Sequence, residues 1–198
     1  MKKLLCAALA AMLALSLFGC GKAASEEETV FRPETEGTAA VITVRNYGTI
    51  RVSLDREAAP ITVDNFLKLA GEGFYDGLTF HRIISGFMIQ GGDPTGTGTG
   101  GSEQQIKGEF RDNGVENPLS HKRGVISMAR AQAMDSASSQ FFIVHEDSEF
   151  LDGAYAAFGQ VTEGMEVVDA ICRDTKVEDG NGTVLPENQP VIESITVE

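Results

Sequence analysis

Positive charge is scarce in this 198-residue chain: 16 lysines and arginines face 29 aspartates and glutamates, for a formal net charge of −13. Nucleic-acid binding needs a basic footprint, so that class of function is excluded. The acidic balance favours solubility and says little about fold. Histidine is also scarce. His81, His121 and His145 stand alone, with no H-E-x-x-H and no ligand pair at helical spacing, so no metal site is expected. There is no internal repeat, no G-x-S-x-G nucleophile elbow and no apolar run that spans a membrane comfortably. Two motifs fail on their context. Gly96-Thr97-Gly98-Thr99-Gly100-Gly101 spells G-x-G-x-x-G, but residues 102–108 carry no helix signal, and no Lys-Ser/Thr pair completes a P-loop. Asp179-Gly180-Asn181-Gly182 lacks acidic ligands at calcium-loop positions and reads as a turn.

Only three cysteines occur, at Cys6, Cys20 and Cys172. Met1-Lys2-Lys3 is a short basic start, and residues 4–18 form an apolar run with the shape of a secretory leader. The run ends in Leu17-Phe18-Gly19-Cys20, which resembles the bacterial lipobox, with Phe18 departing from the usual small or β-branched residue. The expectation is a signal peptide over 1–19, a lipidated Cys20, and an extracytoplasmic, membrane-anchored protein. A plain secretory leader with an incidental cysteine and an uncleaved anchor helix are the alternatives. With Cys6 removed and Cys20 acylated, only Cys172 remains, and no intramolecular disulfide can form. Cys172 shares an apolar helical pattern with Val168 and Ile171, which marks a small buried residue rather than a reactive thiol. Residues 20–38 are acidic and lack apolar periodicity, the composition of a disordered tether.

From residue 39 the pattern becomes that of one folded domain reaching residue 198, long enough for a well-buried core. Val41, Thr43 and Arg45 alternate with Ile42 and Val44; Asn46-Tyr47-Gly48 turns the chain; Ile50, Val52 and Leu54 continue as the second strand of a hairpin. Pro60 opens a helix with Val63, Phe66, Leu67 and Ala70 on one face, stopped by Gly71 and Gly73. Strands are expected over 78–84, 87–90, 124–129, 140–145 and 191–197. Residues 91–109 read as a long Gly/Thr-rich loop, and 163–173 as a second helix with Gly164 in its first turn. Many short strands with two helices imply a mainly β fold, an antiparallel barrel closed so that no edge is exposed.

Within that frame one stretch concentrates chemistry: Phe80-His81-Arg82-Ile83-Ile84-Ser85-Gly86-Phe87-Met88-Ile89-Gln90-Gly91-Gly92-Asp93. It places a single arginine within strand-forming apolar residues. Ser139-Gln140-Phe141-Phe142-Ile143-Val144 adds aromatic surface. Read by spacing alone, Arg82 is either a cation beside an apolar pocket or a snorkelling surface arginine, and the aromatic residues are either pocket or core. Neighbouring strand residues face opposite ways, which assigns Phe141 to the core.

Together with Gly98-Thr99-Gly100-Gly101, Ser127-Met128-Ala129, Phe150-Leu151-Asp152-Gly153, Phe158-Gly159 and Gly164-Met165, these segments resemble the cyclophilins, a family of peptidyl-prolyl cis–trans isomerases. The likeness runs in order from about residue 39 to the C-terminus. Ser127-Met128-Ala129-Arg130-Ala131 and Ser136-Ala137-Ser138-Ser139-Gln140 are similar to the bacterial branch. The resemblance implies an eight-stranded closed antiparallel barrel capped by two helices, with no cofactor. It matches Arg82 to the catalytic arginine and Gln90 to the glutamine that orients it. It matches Phe87, Met88, Phe142 and Leu151 to the proline pocket, and Ala129, Gln140 and the Arg130 backbone to the groove for the substrate peptide. Phe150 stands where many members carry tryptophan, which matters for tight cyclosporin binding, and Tyr155 where many carry histidine at the pocket edge. The implied partner is a proline-containing polypeptide, and a monomer is expected. A non-catalytic proline-peptide module or holdase is the competing reading, opposed by retention of both Arg82 and Gln90. A lipoprotein binding small solutes is a third, which no motif supports.

Overall fold

The structure, a computed structural model, describes residues 38–198. The expected leader, Cys20 and the acidic stretch up to residue 37 lie outside the described residues.

The first hairpin forms as its alternation dictates. Strand β1 (Ala39–Val44) pairs antiparallel with β2 (Gly48–Leu54), register Ile42 opposite Ile50, and Ala40, Ile42, Val44, Ile50 and Val52 are buried. Asn46 takes the left-handed conformation in the turn, φ 66°, which a short polar side chain tolerates. Helix α1 (Pro60–Gly71) starts at proline, whose missing N–H costs nothing in the first turn. Its free N–H groups at Ile61 and Thr62 donate to the buried Glu109 carboxylate at 3.0 and 2.8 Å, and the Thr62 hydroxyl adds a bond of 2.7 Å. A carboxylate at a helix N-terminus also meets the positive end of the helix dipole. Its inward face is Val63, Phe66, Leu69 and Ala70, with Leu67 only half-buried.

Strands β3 (Thr79–Ile84), β4 (Met88–Asp93), β5 (Val125–Met128), β6 (Phe141–Val144), β7 (Ala157–Glu163) and β8 (Ile192–Val197) complete one eight-stranded sheet, ordered β3-β4-β6-β5-β7-β2-β1-β8. Helix α2 (Met165–Asp174) packs Val167, Val168, Ile171 and Cys172 inward, as the apolar pattern predicts. Burial pushes the Cys172 thiol up to about 12, consistent with an inert packing residue. The principal core lies inside the curled sheet. Phe66 of α1 meets Tyr75, Phe141 and Phe158 at ring-centroid distances of 5.3, 5.5 and 5.3 Å.

Four expectations need correction. The sheet is not a closed barrel: its terminal strands β3 and β8 share no ladder and remain open to one another. Pro190, two residues before β8, has no N–H to extend a ladder. The outer edge of β3 is instead covered by irregular chain: bridges join Thr79 to Val191 and Arg82 to Thr183, and the Phe80 and Ile83 N–H groups donate to the Pro190 and Gly182 carbonyls at 2.9 and 2.8 Å. Edge protection is thus achieved without closure. Strand β7 carries no strong strand signal, because Ala157 and Gly159 are small; a Cβ on Gly159 would lie 2.3 Å from the Ser53 carbonyl oxygen, so only glycine allows β7 and β2 to pair. Strand β4 continues through Gly91 and Gly92 to Asp93 rather than ending at Gln90, for the same reason: a Cβ on Gly92 would lie 2.5 Å from the Ser139 carbonyl oxygen. Gly164 is the residue before α2, at φ +90°, not a flaw within its first turn.

Candidate active site

A break in strand pairing creates the site. Along β3, Phe80 pairs with Gly91 and Arg82 with Gln90, so His81 is an extra residue without a partner on β4. Regular alternation would put Phe80 and Arg82 on one face and drive the guanidinium into the core. The bulge instead leaves Phe80 and Ile83 in the principal core and turns His81 and Arg82 together to the other face. The sequence signal for this is two consecutive polar residues, His81-Arg82, between apolar ones.

On that face Met88, Phe142, Leu151, Val144 and Ala157 form a second apolar cluster, with Phe87 and Tyr155 packed against it. A cavity of about 330 Å³ opens there, walled by Phe87, Met88, Phe142, Leu151 and Tyr155 and overhung by Arg82. Phe142 stands edge-on to Tyr155 with centroids 6.0 Å apart. The alternation on β6 separates its two phenylalanines as expected: Phe141 enters the principal core and Phe142 the pocket.

Arg82 is held from two sides. Its Nε donates to the Asn181 carbonyl at 2.8 Å, and its Nη1 donates to Gln90 Oε1 at 3.3 Å. Gln90 Nε2 donates to Gln140 Oε1 at 2.8 Å, and Gln140 Nε2 to the Gly100 carbonyl at 2.7 Å. The guanidinium carbon lies 6.0 Å from the centre of the Phe87 ring. A cation fixed by a chain of amides at the edge of a cavity can stabilise an oxygen or nitrogen lone pair there without reorganising.

The Gly-rich loop that ends this amide chain is shaped by Asp93. Its buried carboxylate accepts from the backbone N–H groups of Thr95, Thr97, Gly98 and Gly100, at 2.8, 3.1, 2.6 and 3.2 Å. Burial raises the Asp93 pKa, but these bonds outweigh it and hold the carboxyl below the usual carboxylate range. The false dinucleotide motif is therefore a carboxylate-centred loop that presents Gly100.

Of the expected pocket and groove residues, all but Gln140 and Phe150 line this cavity. Gln140 borders an adjoining hollow that also meets Gln90, Ala129 and Arg130. Phe150 is 74% exposed and sits at the rim, its ring 5.5 Å from that of Phe87. The Arg130 side chain is fixed beside the groove: it lies between the Tyr155 and Phe110 rings, at 4.8 and 5.1 Å, and its Nε donates to the Ala154 carbonyl at 2.9 Å.

Two contributors are not apparent from sequence. Asn181 acts through its backbone carbonyl, which no side-chain pattern reveals. His121, read above as an isolated histidine, lies behind Phe142, nearly parallel at 17° with centroids 6.0 Å apart. Its Nδ1 contacts Asp152 Oδ1 at 2.7 Å and its Nε2 contacts the Ser127 hydroxyl at 3.0 Å. Burial pushes the His121 pKa down against the opposing pull of Asp152. The ring is then neutral, with Nδ1–H donating to the carboxylate and Nε2 accepting from Ser127. Despite the Ser-His-Asp composition, Ser127 is completely buried and out of reach of any acyl donor, so this is packing support for the pocket wall.

A two-helix, antiparallel sheet protein bearing a braced arginine beside a partly apolar cavity is the arrangement that the resemblance noted above leads one to expect. Residues 39–197 match the cyclophilin type peptidyl-prolyl cis-trans isomerase/CLD family. The chain belongs to that family, and its enzyme class is accordingly peptidyl-prolyl cis–trans isomerisation. It is 56% identical over 117 residues to peptidyl-prolyl cis-trans isomerase B of Bacillus subtilis, covering 59% of this chain and 78% of that one. It is 46% identical over 147 residues to a Helicobacter pylori peptidyl-prolyl cis-trans isomerase, covering 73% and 87%. Among solved structures, a Cryptosporidium parvum cyclophilin type isomerase crystallised in the presence of the dipeptide Ala-Pro superposes with a TM-score of 0.71 at 32% identity, covering 81% of this chain and 98% of that one.

Proposed function

We propose that this isomerase acts outside the cytoplasm on X–Pro bonds of exported polypeptides, tethered by lipid on Cys20, as a monomer, with Arg82 as its catalytic cation. Rotation about a peptide C–N bond is opposed by about 18–20 kcal/mol of lost resonance. The two X–Pro isomers differ by only about 0.5–1 kcal/mol, yet exchange takes tens to hundreds of seconds. No bond has to form or break, so the catalyst need only bind the twisted state better than either planar one. In the twisted state the proline nitrogen is pyramidal and bears a localised lone pair. Phe87, Met88, Phe142 and Leu151 grip the ring, so the carbonyl side turns. Arg82 donates a hydrogen bond near the nitrogen or steadies the displaced carbonyl oxygen. Arginine suits this role because it stays protonated and its planar fork can be braced.

The observation that carries this reading is the bracing itself: Arg82 is tied to Asn181 and Gln90 above an apolar cavity. The solved relative crystallised in the presence of Ala-Pro supports proline peptides as substrates. The test is turnover of a short Ala-Pro peptide. Arg82→Ala is expected to lower kcat/KM roughly 10²–10³-fold, the scale of losing one preorganised donor, and Arg82→Lys to recover little. A folded alanine variant with near wild-type rates would refute the role. The tether is tested separately by cell fractionation and intact mass: the expected result is a membrane-bound protein acylated at Cys20, and a soluble protein starting at another residue overturns it.

A further inference from the structure

The turn Asp179-Gly180-Asn181-Gly182 is wound around its own carboxylate. Asp179 Oδ1 accepts from the Asn181 and Thr183 N–H groups at 2.9 and 3.1 Å, and Oδ2 accepts from the Thr183 hydroxyl at 3.0 Å. The Gly182 N–H closes the turn on the Asp179 carbonyl at 3.1 Å. Bonds from the Thr183 N–H and hydroxyl, with those from Asn181 and Gly182, hold the Asp179 carboxyl below the usual carboxylate range, so it is an acceptor at neutral pH. Packing contributes little to this shape: Asp179, Gly180, Asn181 and Thr183 are exposed, and only Gly182 and Val184 are buried. The turn lies along β3 on both sides of Arg82. The Ile83 N–H donates to the Gly182 carbonyl at 2.8 Å, and the Val184 N–H donates to the His81 carbonyl at 3.1 Å. A Cβ on Gly182 would collide with the Ile83 carbonyl, so this approach requires glycine. Just ahead of these contacts the Asn181 carbonyl takes the Arg82 Nε–H at 2.8 Å, a shorter bond than the 3.3 Å one from Nη1 to Gln90.

We infer that Asp179 is a positioning residue for the isomerisation: its carboxylate shapes the turn that sets the Asn181 carbonyl against Arg82, and so fixes where the guanidinium stands at the edge of the cavity. This rests on the isomerase reading above, in which Arg82 is the catalytic cation. The requirement is geometric. Both backbone N–H bonds go to one oxygen, Oδ1, which an asparagine carboxamide also supplies and an alanine does not. Without that oxygen the glycines at 180 and 182 free the turn to take other conformations, and Arg82 Nε loses a partner at a fixed place. Gln90 still holds Nη1, so the cation is loosened rather than lost. Phe87, Met88, Phe142 and Leu151 come from other parts of the chain, so the grip on a proline ring changes little.

The experiment measures kcat and KM on an Ala-Pro peptide for wild type, Asp179→Ala and Asp179→Asn, and repeats the alanine substitution in the Arg82→Ala background. Asp179→Ala is expected to lower kcat roughly five- to thirtyfold, a part of the loss on removing Arg82 itself, with KM within about twofold. Asp179→Asn forgoes only the acceptor for the Thr183 hydroxyl and should restore the rate to within about threefold of wild type. In the Arg82→Ala background, Asp179→Ala should change kcat/KM by a factor of about one, because residues acting through one group are not additive. An asparagine variant as slow as the alanine variant would assign the effect to charge and overturn the inference. So would a raised KM at unchanged kcat, or a full further loss without Arg82. A second measurement reads the brace without turnover, through hydrogen exchange at the Arg82 Nε–H resonance. Asp179→Ala should speed that exchange roughly tenfold or more, and Asp179→Asn should leave it slow. Equal exchange in all three proteins refutes the positioning. Near wild-type turnover by Arg82→Ala would instead sink the catalytic role of Arg82, and the exchange rates would still decide whether Asp179 places it.

Discussion

Phe141 and Phe142 are adjacent on β6, similar in burial, and belong to different parts of the molecule. Phe141 meets Phe66, Tyr75 and Phe80 edge-on inside the sheet, in a core made almost wholly of apolar side chains. Phe142 faces the other way, against His121 on its back and an open cavity in front. The first region is packed on all sides and satisfies itself. The second is half a packing arrangement, completed by buried polar bonds behind it and left unfilled at the cavity in front. A binding pocket here is a core from which one layer is missing.

Substitution on either side sharpens that contrast. The largest expected effect on stability is from Phe141→Ala, about 3–5 kcal/mol, because the void left inside the sheet cannot collapse or hydrate. Phe142→Ala is expected to cost only about 2 kcal/mol, since water from the cavity enters the space. It removes a wall of the cavity under Arg82, however, and if that cavity seats the proline as proposed, kcat/KM should fall roughly ten- to a hundredfold. Urea melts and a peptide assay on both variants decide the matter; equal stability losses would show the two regions are not packed differently.

The next effect is at the Gly-rich loop, which belongs to the site but is held by a single buried charge. Asp93→Asn should destabilise the protein by about 2–3 kcal/mol, as bonds to a carboxylate are replaced by weaker or missing ones. The Asp93 carboxyl is held low in the folded state, so its contribution is complete above the usual carboxylate range. It disappears as pH falls through the lowered value. Denaturant midpoints measured from neutral pH downward should therefore converge for wild type and Asp93→Asn at low pH; a constant gap would assign the effect to shape instead of charge.

The smallest effect on turnover is expected at the rim. Phe150 is exposed and touches Phe87 without touching Arg82's braces. Phe150→Trp should alter peptide kcat/KM by less than about threefold. The indole adds apolar area and an N–H donor, and cyclosporin binding should tighten roughly ten- to a hundredfold. Calorimetric titration of both forms tests this; nanomolar binding by the unmodified protein, or no gain with tryptophan, would exclude Phe150 as the determinant.

Period-two alternation over residues 39–54, the helical spacing of Val63, Phe66 and Ala70, and the opposite facing of Phe141 and Phe142 are properties of a few consecutive residues, and the sequence alone determined them. The ordered motifs from Phe80 to Met165 determined the family in the same way, because each is a short local string. What tertiary structure decided is whatever depends on groups far apart in the chain. The Glu109 carboxylate that starts α1 is 47 residues from Thr62. Asn181, which braces Arg82, is 99 residues away and contributes only a backbone oxygen. The strand β7, built from small residues, exists because β2 and β5 approach closely enough to require them. The open seam between β3 and β8 follows from a proline whose missing N–H matters only once a partner strand is beside it. The bulge at His81 is the sharpest case: two polar letters hint at it, but only pairing with β4 leaves one residue over and swings Arg82 out of the core. Strand faces are set by local geometry, whereas the position of the Arg82 charge is set by register, and register is a property of two strands together.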